Sequence, residues 1–391
     1  MKIVGAQVLG PDFRFHDYTV EIQGDTITAL TEAASQETSC DVVSYQGLKL
    51  IPGLIDTHMH GYYGKQCSSK DPEDLAVISY RLALEGVTGY AATISTSPDE
   101  RALAGIRSCR LAAEKEIGSS FKYDSYEELL QDPSVEAVAI GDYFQKRGGM
   151  IIAALKAGKH VICDKPLCTS LEELDEIEKL IAESGLQLCC MLDLRYMAQV
   201  QKAKEMIEGG ELGEIYTASF TGQHALNFEN RPKWYFEDGK QGGTINDIAI
   251  HGIDLVRYLT GKNLTKVNMA KTWNAYADKA PKFMDAAQFM IEMEDMSLIS
   301  DVTYAAPVYN GLLPTYWNFY FWGTKGMMNF RLSENCIHWF TDHEEIIECA
   351  PIAIDYLNAF IMETKGVATM MNTKFILESQ RQVLEIQAAA E

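Results

Sequence analysis

The sequence predicts an α/β chain. It has a small β module over 1–47, a parallel α/β domain over 48–190 and a C-terminal α+β domain over 191–391 built on a large, mostly antiparallel sheet. Three observations carry that prediction. Between 48 and 190, short apolar runs alternate with capped amphipathic segments, the pattern of a parallel sheet with helical crossovers. Beyond about 195 the pattern changes to long strand-like runs: EIYTASFTGQ, KVNMAKTWNAY, DAAQFMIEME, MSLISDVTYAA, YWNFYFWG and GMMNFRL. Ahead of both, KIVGAQVL, YTVEIQ, TITAL and KLIP are short β segments, with Gly24-Asp25 as hairpin punctuation.

The elements follow in order. LIPGLID is an apolar strand, DPEDLAVISYRLALEGV a helix with acidic residues in its first turn, and GYAATIS a strand. SPDERALAGIRSCRLAAEKEIG is a second helix with a Ser N-cap. This β-α-β-α run over 48–118 has the topology to complete a parallel sheet that resumes at VEAVAIG. SYEELLQDP is helical, VEAVAIG a buried strand, and KRGGMIIAALKAG a helix ending at Gly158. HVICD is a strand, SLEELDEIEKLIAESG a helix with a Ser cap and a Gly stop, and LQLCCML the next strand. Residues 351–391 read as helix.

Composition narrows the function classes. The chain has 391 residues, 47% hydrophobic and 23% charged, which excludes disordered and disulfide-stapled classes. Lys and Arg total 34 against 55 Asp and Glu, a net charge of −21 that repels nucleic-acid backbones and anionic membranes. Nine scattered cysteines without a CxxC pair, alongside 16 methionines, point to a reducing compartment. There is no signal-peptide run, nor the apolar stretch of about 18 residues that a membrane span needs, so the expected location is the cytoplasm.

Three residues stand out chemically: Lys165 in CDKP, and Asp247 with His251 in GGTINDIAIHGIDLVRYLTG. Lys165 sits where a strand ends, at the carboxyl edge where open parallel sheets bind ligands. Asp247 and His251 are four apart with helical periodicity, so a carboxylate is expected to orient the imidazole beside it.

The stretches DSYEELLQDPSVEAVAI, AALKAGKHVICDKPL, LRYMAQVQKAKEMIEGGELGEIY and GGTINDIAIHGIDLVRYLTG resemble the Gfo/Idh/MocA oxidoreductases, which act on sugars and polyols with NAD(P). The resemblance implies a Rossmann-like domain and a catalytic set of Lys165, Asp247 and His251. It also implies a substrate pocket with Arg195, Tyr196 and Trp234, and cofactor contacts from Asp142, Tyr143, Asp164 and Lys165. Asp164 stands where the family usually has glutamate, and Gly141-Asp142-Tyr143 replaces a TPN-type segment. The family's opening strand with a GxGxxG turn is absent.

Instead MKIVGAQVLGP, VEIQGDTITAL, LIPGLIDTHMHG and EGVTGYAATISTS resemble the start of an amidohydrolase of the N-acetylglucosamine-6-phosphate deacetylase type. In such barrels an HxH pair, here His58 and His60, binds a divalent metal; without the later ligands no metal is expected in this chain. The expected function is an NAD(P)-dependent oxidoreductase acting on a sugar or polyol hydroxyl, its dinucleotide affinity reduced by the missing glycine turn. A metal-dependent amidohydrolase and a silent fusion are the alternatives. A homo-oligomer through the C-terminal sheet is expected, because its strands carry aromatics and Met on both faces.

Overall fold

The computed structural model describes residues 1–10, 14–24, 26–32, 41–94, 99–112, 123, 125–309, 313–350, 356–370 and 372–390. They divide into two units, one of residues 1–95 with 101–120 and one of 96–100 with 121–391.

The first unit begins with β1 (Lys2–Val4), β2 (Gln7–Leu9), β3 (Phe15–His16), β4 (Tyr18–Gln23), β5 (Thr26–Glu32), β6 (Val42–Ser44) and β7 (Lys49–Leu50). These form a four-stranded sheet, β5-β4-β1-β6, and a three-stranded one, β3-β2-β7. The predicted hairpin is there: Gln23 pairs with Thr26 across Gly24, whose φ is +63°. Asp25 lies outside the described residues. Next come β8 (Leu54–Met59), β9 (Gly61–Tyr62), β10 (Lys65–Gln66), α1 (Pro72–Leu84), β11 (Val87–Ala92) and α2 (Asp99–Ala112). Helix α1 starts as its sequence dictates: Asp71 accepts a hydrogen bond from the Glu73 amide, Pro72 opens the first turn, and Leu75, Ile78 and Leu82 form its buried stripe.

β8 and β11 pair in parallel with each other as a two-stranded sheet. In the second unit an apolar core runs from Leu130 through Val161, Phe220 and Phe319 to Ile386.

The second unit opens with α3 (Tyr126–Gln131), β12 (Ala137–Ile140), α4 (Phe144–Lys156), β13 (His160–Cys163), α5 (Leu171–Ser184) and β14 (Leu188–Cys190). The three strands are parallel in the order β12-β13-β14. Helix α5 carries both predicted signals: the Ser170 hydroxyl caps the Glu173 amide and Gly185 ends the helix with φ +71°. Leu174 and Ile177 are fully buried, worth roughly 1.5–3 kcal/mol each.

There follow α6 (Ala198–Glu208), β15 (Ile215–Ala225), α7 (Ile250–Thr260), β16 (Leu264–Trp273), β17 (Ala286–Met293), β18 (Met296–Ala306), β19 (Asn318–Gly323), β20 (Met327–Arg331), β21 (Cys336–Phe340), β22 (Glu344–Glu348), α8 (Tyr356–Thr364) and α9 (Thr373–Ala388). The strands form one eight-stranded sheet, β16-β17-β18-β15-β19-β20-β21-β22, antiparallel except for β15 beside β18. Alternation assigns its two faces. Ala218, Phe220, Phe289, Leu298 and Phe319 are buried on the covered face. Met269, Met290, Ile299 and Tyr320 align in register on the other, where the first three are exposed. The eight described cysteines are free thiols, and none of the described helices is long and apolar enough to cross a membrane.

Candidate functional site

The carboxyl ends of β12, β13 and β14 place Asp142 and Tyr143, Asp164 and Lys165, and Asp193 along one sheet edge. Arg147, buried in α4, ties two of these loops together. Its guanidinium donates to the Asp142, Asp164 and Pro166 carbonyls at 2.8, 3.1 and 2.7 Å. The Lys165–Pro166 peptide is cis.

From that edge Lys165 reaches a residue 82 positions away: its Nζ donates to Asp247 Oδ1 at 2.7 Å and to the Asp247 carbonyl at 2.8 Å. Asp247 is 2% exposed, and its other carboxylate oxygen accepts from Tyr235, Tyr304 and Gln241 Nε2, the last at 3.0 Å. Burial alone pushes the carboxyl upward. The Lys165 charge, with the hydrogen bonds from Lys165, Tyr235 and Tyr304, outweighs burial and holds it well below the usual carboxylate range. Burial and the Asp247 charge push both phenols well up, so they stay protonated donors.

Two imidazoles complete the site. His224, near the end of β15, and His251, on α7, each meet the Trp317 ring edge-on at 5.8 Å. Glycines bring them there: a Cβ on Gly252 would lie 2.2 Å from the Phe220 ring, and one on Gly222 would lie 2.8 Å from Trp317. Only glycine lets α7 and Trp317 approach the sheet so closely. Both imidazoles are held neutral. Burial and the Lys165 charge lower His224 to about 4, and burial, Lys165 and His224 push His251 well below its ordinary value. The Nδ1 atoms of both are buried without a hydrogen-bond partner; the Asp193 carboxylate stands 3.9 Å from that of His251, beyond hydrogen-bond reach. A hollow of about 260 Å³ lined by His224, Asn227 and Tyr316 opens beside His224.

Lys165 and Asp247 are therefore in direct contact, and the Lys165 charge reaches His251. One expected detail fails: Asp247 makes no hydrogen bond to His251. The segment Ile245–Ala249 is a π-helix, and in that wide turn Asp247 faces Lys165 and the two tyrosines instead. Arg195 is corrected too. Its guanidinium is buried in a two-pronged pair with Asp254 and also donates to the Met370 carbonyl, which commits all three of its nitrogens inside the protein. Tyr196 is buried in a small cluster with Cys189 and Phe360 rather than lining the hollow.

Trp234 packs on Tyr143 at 5.5 Å and Phe144 at 5.2 Å, and Lys165 Nζ lies 6.0 Å from the Phe144 ring, so this aromatic group borders the lysine. Asp142 and Asp164 cap the following amides, Tyr143 at 2.7 Å and Lys165 at 2.8 Å. The His58 side chain lies outside the described residues. Sequence reasoning missed Tyr235, Gln241, His224 and Tyr304; the run from RPKWYF to QGGTIND held the first two within reach of Asp247.

A nicotinamide dinucleotide needs a carbinol-side acid/base and a phosphate cradle. The residues present fit the first: Asp247 holds a lysine head whose charge reaches two buried imidazoles with unpartnered nitrogens. The second lacks its usual glycine turn, since no GxGxxG occurs in the sequence.

Two family models match this chain. Residues 87–191 match an oxidoreductase family described as an NAD-binding Rossmann fold, and residues 200–329 match the GFO/IDH/MocA C-terminal domain. The cofactor class is thus a nicotinamide dinucleotide. Myo-inositol 2-dehydrogenase of Thermotoga maritima is 29% identical over 42% of this chain and 48% of its own length. Levoglucosan dehydrogenase of Pseudarthrobacter phenanthrenivorans is 31% identical over 42% of this chain and 43% of its own length. The chain thus matches about half the length of these curated relatives. The structure of aldose-aldose oxidoreductase from Caulobacter crescentus, complexed with glycerol, shares the fold with a TM-score of 0.62 at 19% identity, over 86% of this chain and 96% of that one. Residues 87–191 and 200–329 are thus each similar to one of the two domains of the Gfo/Idh/MocA oxidoreductases.

Proposed function

We propose that the protein is a cytoplasmic NAD(P)-dependent oxidoreductase acting on a hydroxyl of a sugar or polyol, with Lys165 exchanging the proton at the reacting oxygen. One observation carries this reading: Lys165 is anchored by Asp247 beside two neutral imidazoles whose Nδ1 atoms lack partners. When the carbinol carbon loses a hydride, the hydroxyl proton must leave as well; Lys165 Nζ takes it as the neutral amine, after its own ammonium proton has passed to solvent, and in the reverse direction the ammonium donates it. Asp247 is a positioning residue, since its carboxylate points Nζ and is itself fixed by Tyr235, Tyr304 and Gln241. The nicotinamide, when bound, accepts or returns the hydride.

His224 and His251 hold neighbouring hydroxyls, which a polyol supplies as both donors and acceptors. The hollow of about 260 Å³ lies at the small end of ligand pockets, which start near 300 Å³, and suits such a molecule. The relatives' substrates are the natural probes. Purified protein is incubated with NAD⁺ or NADP⁺ and with myo-inositol, scyllo-inositol or levoglucosan, and nicotinamide absorbance is followed. Turnover that depends on one polyol and one nucleotide is expected; no turnover in either direction with any pair would overturn the reading. The missing glycine turn predicts a high KM for the nucleotide. The stretch 1–117 read as amidohydrolase-like overlaps the Rossmann match from residue 87 onward, and we assign none of residues 1–117 to this proton transfer.

The chain is further proposed to self-associate through the open sheet face around Met269, Met290 and Ile299. Light scattering at micromolar concentration checks this; a strict monomer contradicts it.

A further inference from the structure

The eight-stranded sheet carries a second set of chemistry-bearing side chains at its β21–β22 edge. We propose that Glu334, Cys336 and His338 form a binding site for zinc or a similar borderline divalent cation. Cys336 and His338 alternate on β21, so both leave the face opposite buried Ile337. Glu334 precedes them in the turn from β20, and that turn is held in place because Gln199 Nε2 donates to the Glu334 carbonyl at 2.8 Å.

The three donor atoms form a nearly equilateral triangle. Cys336 Sγ lies 4.0 Å from Glu334 Oε2 and 3.9 Å from His338 Nε2, and Nε2 lies 3.8 Å from Oε2. A tetrahedral zinc with sulfur at about 2.3 Å and nitrogen or oxygen near 2.0–2.1 Å needs donor separations of roughly 3.4–3.6 Å. The triangle is a few tenths of an ångström too wide, a gap that side-chain rotation closes. The thiol meets the carboxylate and the imidazole only through long sulfur contacts, and Nε2 and Oε2 are beyond hydrogen-bond reach of each other.

Their surroundings favour a cation. His338 Nδ1 meets Glu344 Oε1 at 2.8 Å. That contact puts the ring proton on Nδ1 and turns the Nε2 lone pair toward the triangle, as a carboxylate does for many zinc-bound histidines. Arg331 engages only the other oxygen of Glu334, at 3.3 Å, leaving Oε2 available. Glu348 stands directly across from Cys336 in register and adds negative charge on the same face. Thiolate with imidazole and a single carboxylate selects zinc, cobalt or similar ions over calcium and magnesium, which prefer oxygen alone. Binding expels the thiol proton as the sulfur–metal bond forms, and water or Glu348 takes the fourth position. Bound there, the ion pins the β20–β21 turn to the sheet edge, apart from the Lys165 chemistry.

Cobalt makes the test visible, because thiolate-bound Co²⁺ shows a charge-transfer band. Chelator-treated full-length protein is titrated with Co²⁺ and then with competing Zn²⁺. One cobalt per chain with a thiolate band that zinc displaces is expected, with a rise in Tm on adding zinc. Cys336→Ser and His338→Gln should each lose the band while the metal-free Tm stays unchanged. Cys349→Ser should keep the band, and Glu344→Gln should weaken affinity roughly 10–100-fold. No band in the wild-type protein, or a band that survives Cys336→Ser, overturns the site.

Discussion

Two buried ion pairs draw their carboxylates from the same helical stretch, and they differ in what is left over. Arg195 and Asp254 are each 2% exposed; Nε and one Nη of the arginine bond the carboxylate and the other Nη bonds the Met370 carbonyl. Asp254 takes a further hydrogen bond from Ser379 at 2.8 Å. Each nitrogen of the guanidinium and both carboxylate oxygens have a partner inside the protein. Lys165, by contrast, keeps 22% of its side chain exposed and binds one carboxylate oxygen and the carbonyl of Asp247, with its charge reaching imidazoles whose Nδ1 atoms have no partner. A closed pair fastens elements together, whereas an open pair beside unsatisfied donors and acceptors is equipped to meet a ligand.

The comparison is broken first at its open member. Lys165→Ala should lower turnover roughly 10²–10⁴-fold, the range for a lost general acid/base. The protein should remain folded, because Asp247 keeps Tyr235, Tyr304 and Gln241. Steady-state rates with circular dichroism on the same samples decide it; unchanged turnover removes Lys165 from the mechanism. The closed member should behave in the opposite way. Arg195→Met leaves Asp254 buried and short of its partner, costing about 3–5 kcal/mol of stability. Urea unfolding reads that loss, and kcat of the still-folded fraction should change little.

The sequence showed the frame of this site better than its interior. The strands around Lys165 and helix α5 follow from local signals, an apolar run or a Ser170 cap with a Gly185 stop. Lys165 and Asp247 were legible because a strand end and a helical stretch expose them as residue types. Arg195 misled because its partner lies 59 positions away, out of reach of any local pattern. The i, i+4 reading of Asp247 and His251 failed because it assumed an ordinary α-helix where a π turn intervenes. His224 and Tyr304 join the site only through the parallel pairing of β15 with β18, a long-range register that local sequence does not carry.

The next test sharpens what it means for the imidazoles to be unsatisfied. Burial and the Lys165 charge lower His224 from 6.5 in the unfolded chain to about 4 in the folded one. The sign follows from linkage: between those values the unfolded chain binds the extra proton, so stability falls as pH drops from about 6.5 to about 4 and flattens below. The loss amounts to roughly 3 kcal/mol. His224→Gln should remove that part of the pH dependence. Urea midpoints from pH 7 to 4 for both proteins check it, and parallel curves would mean that His224 is not buried as a neutral base.

The smallest expected effect concerns how the open pair is held. Gln380 on α9 accepts from the Leu167 amide at 3.0 Å and donates to Asn246 Oδ1 at 2.7 Å, while Asn246 Nδ2 donates to the Cys168 carbonyl at 3.0 Å. This buried relay joins the loop after Lys165 to the segment just before Asp247, so Gln380 is a positioning residue for a contact it never touches. Gln380→Met fills the same space but orphans the Leu167 amide, which should cost about 1–3 kcal/mol. Its neighbour Arg381 supplies the contrast, since it pairs with Asp175 and Glu178 at a half-exposed surface. Arg381→Met should cost less than about 1 kcal/mol. The readout that separates positioning from mere packing is kinetic: Gln380→Met should lower kcat several-fold with KM little changed, whereas Arg381→Met should alter neither. Equal stability loss in both variants, with kcat unmoved in each, would mean that the relay fastens α9 without aiming Lys165.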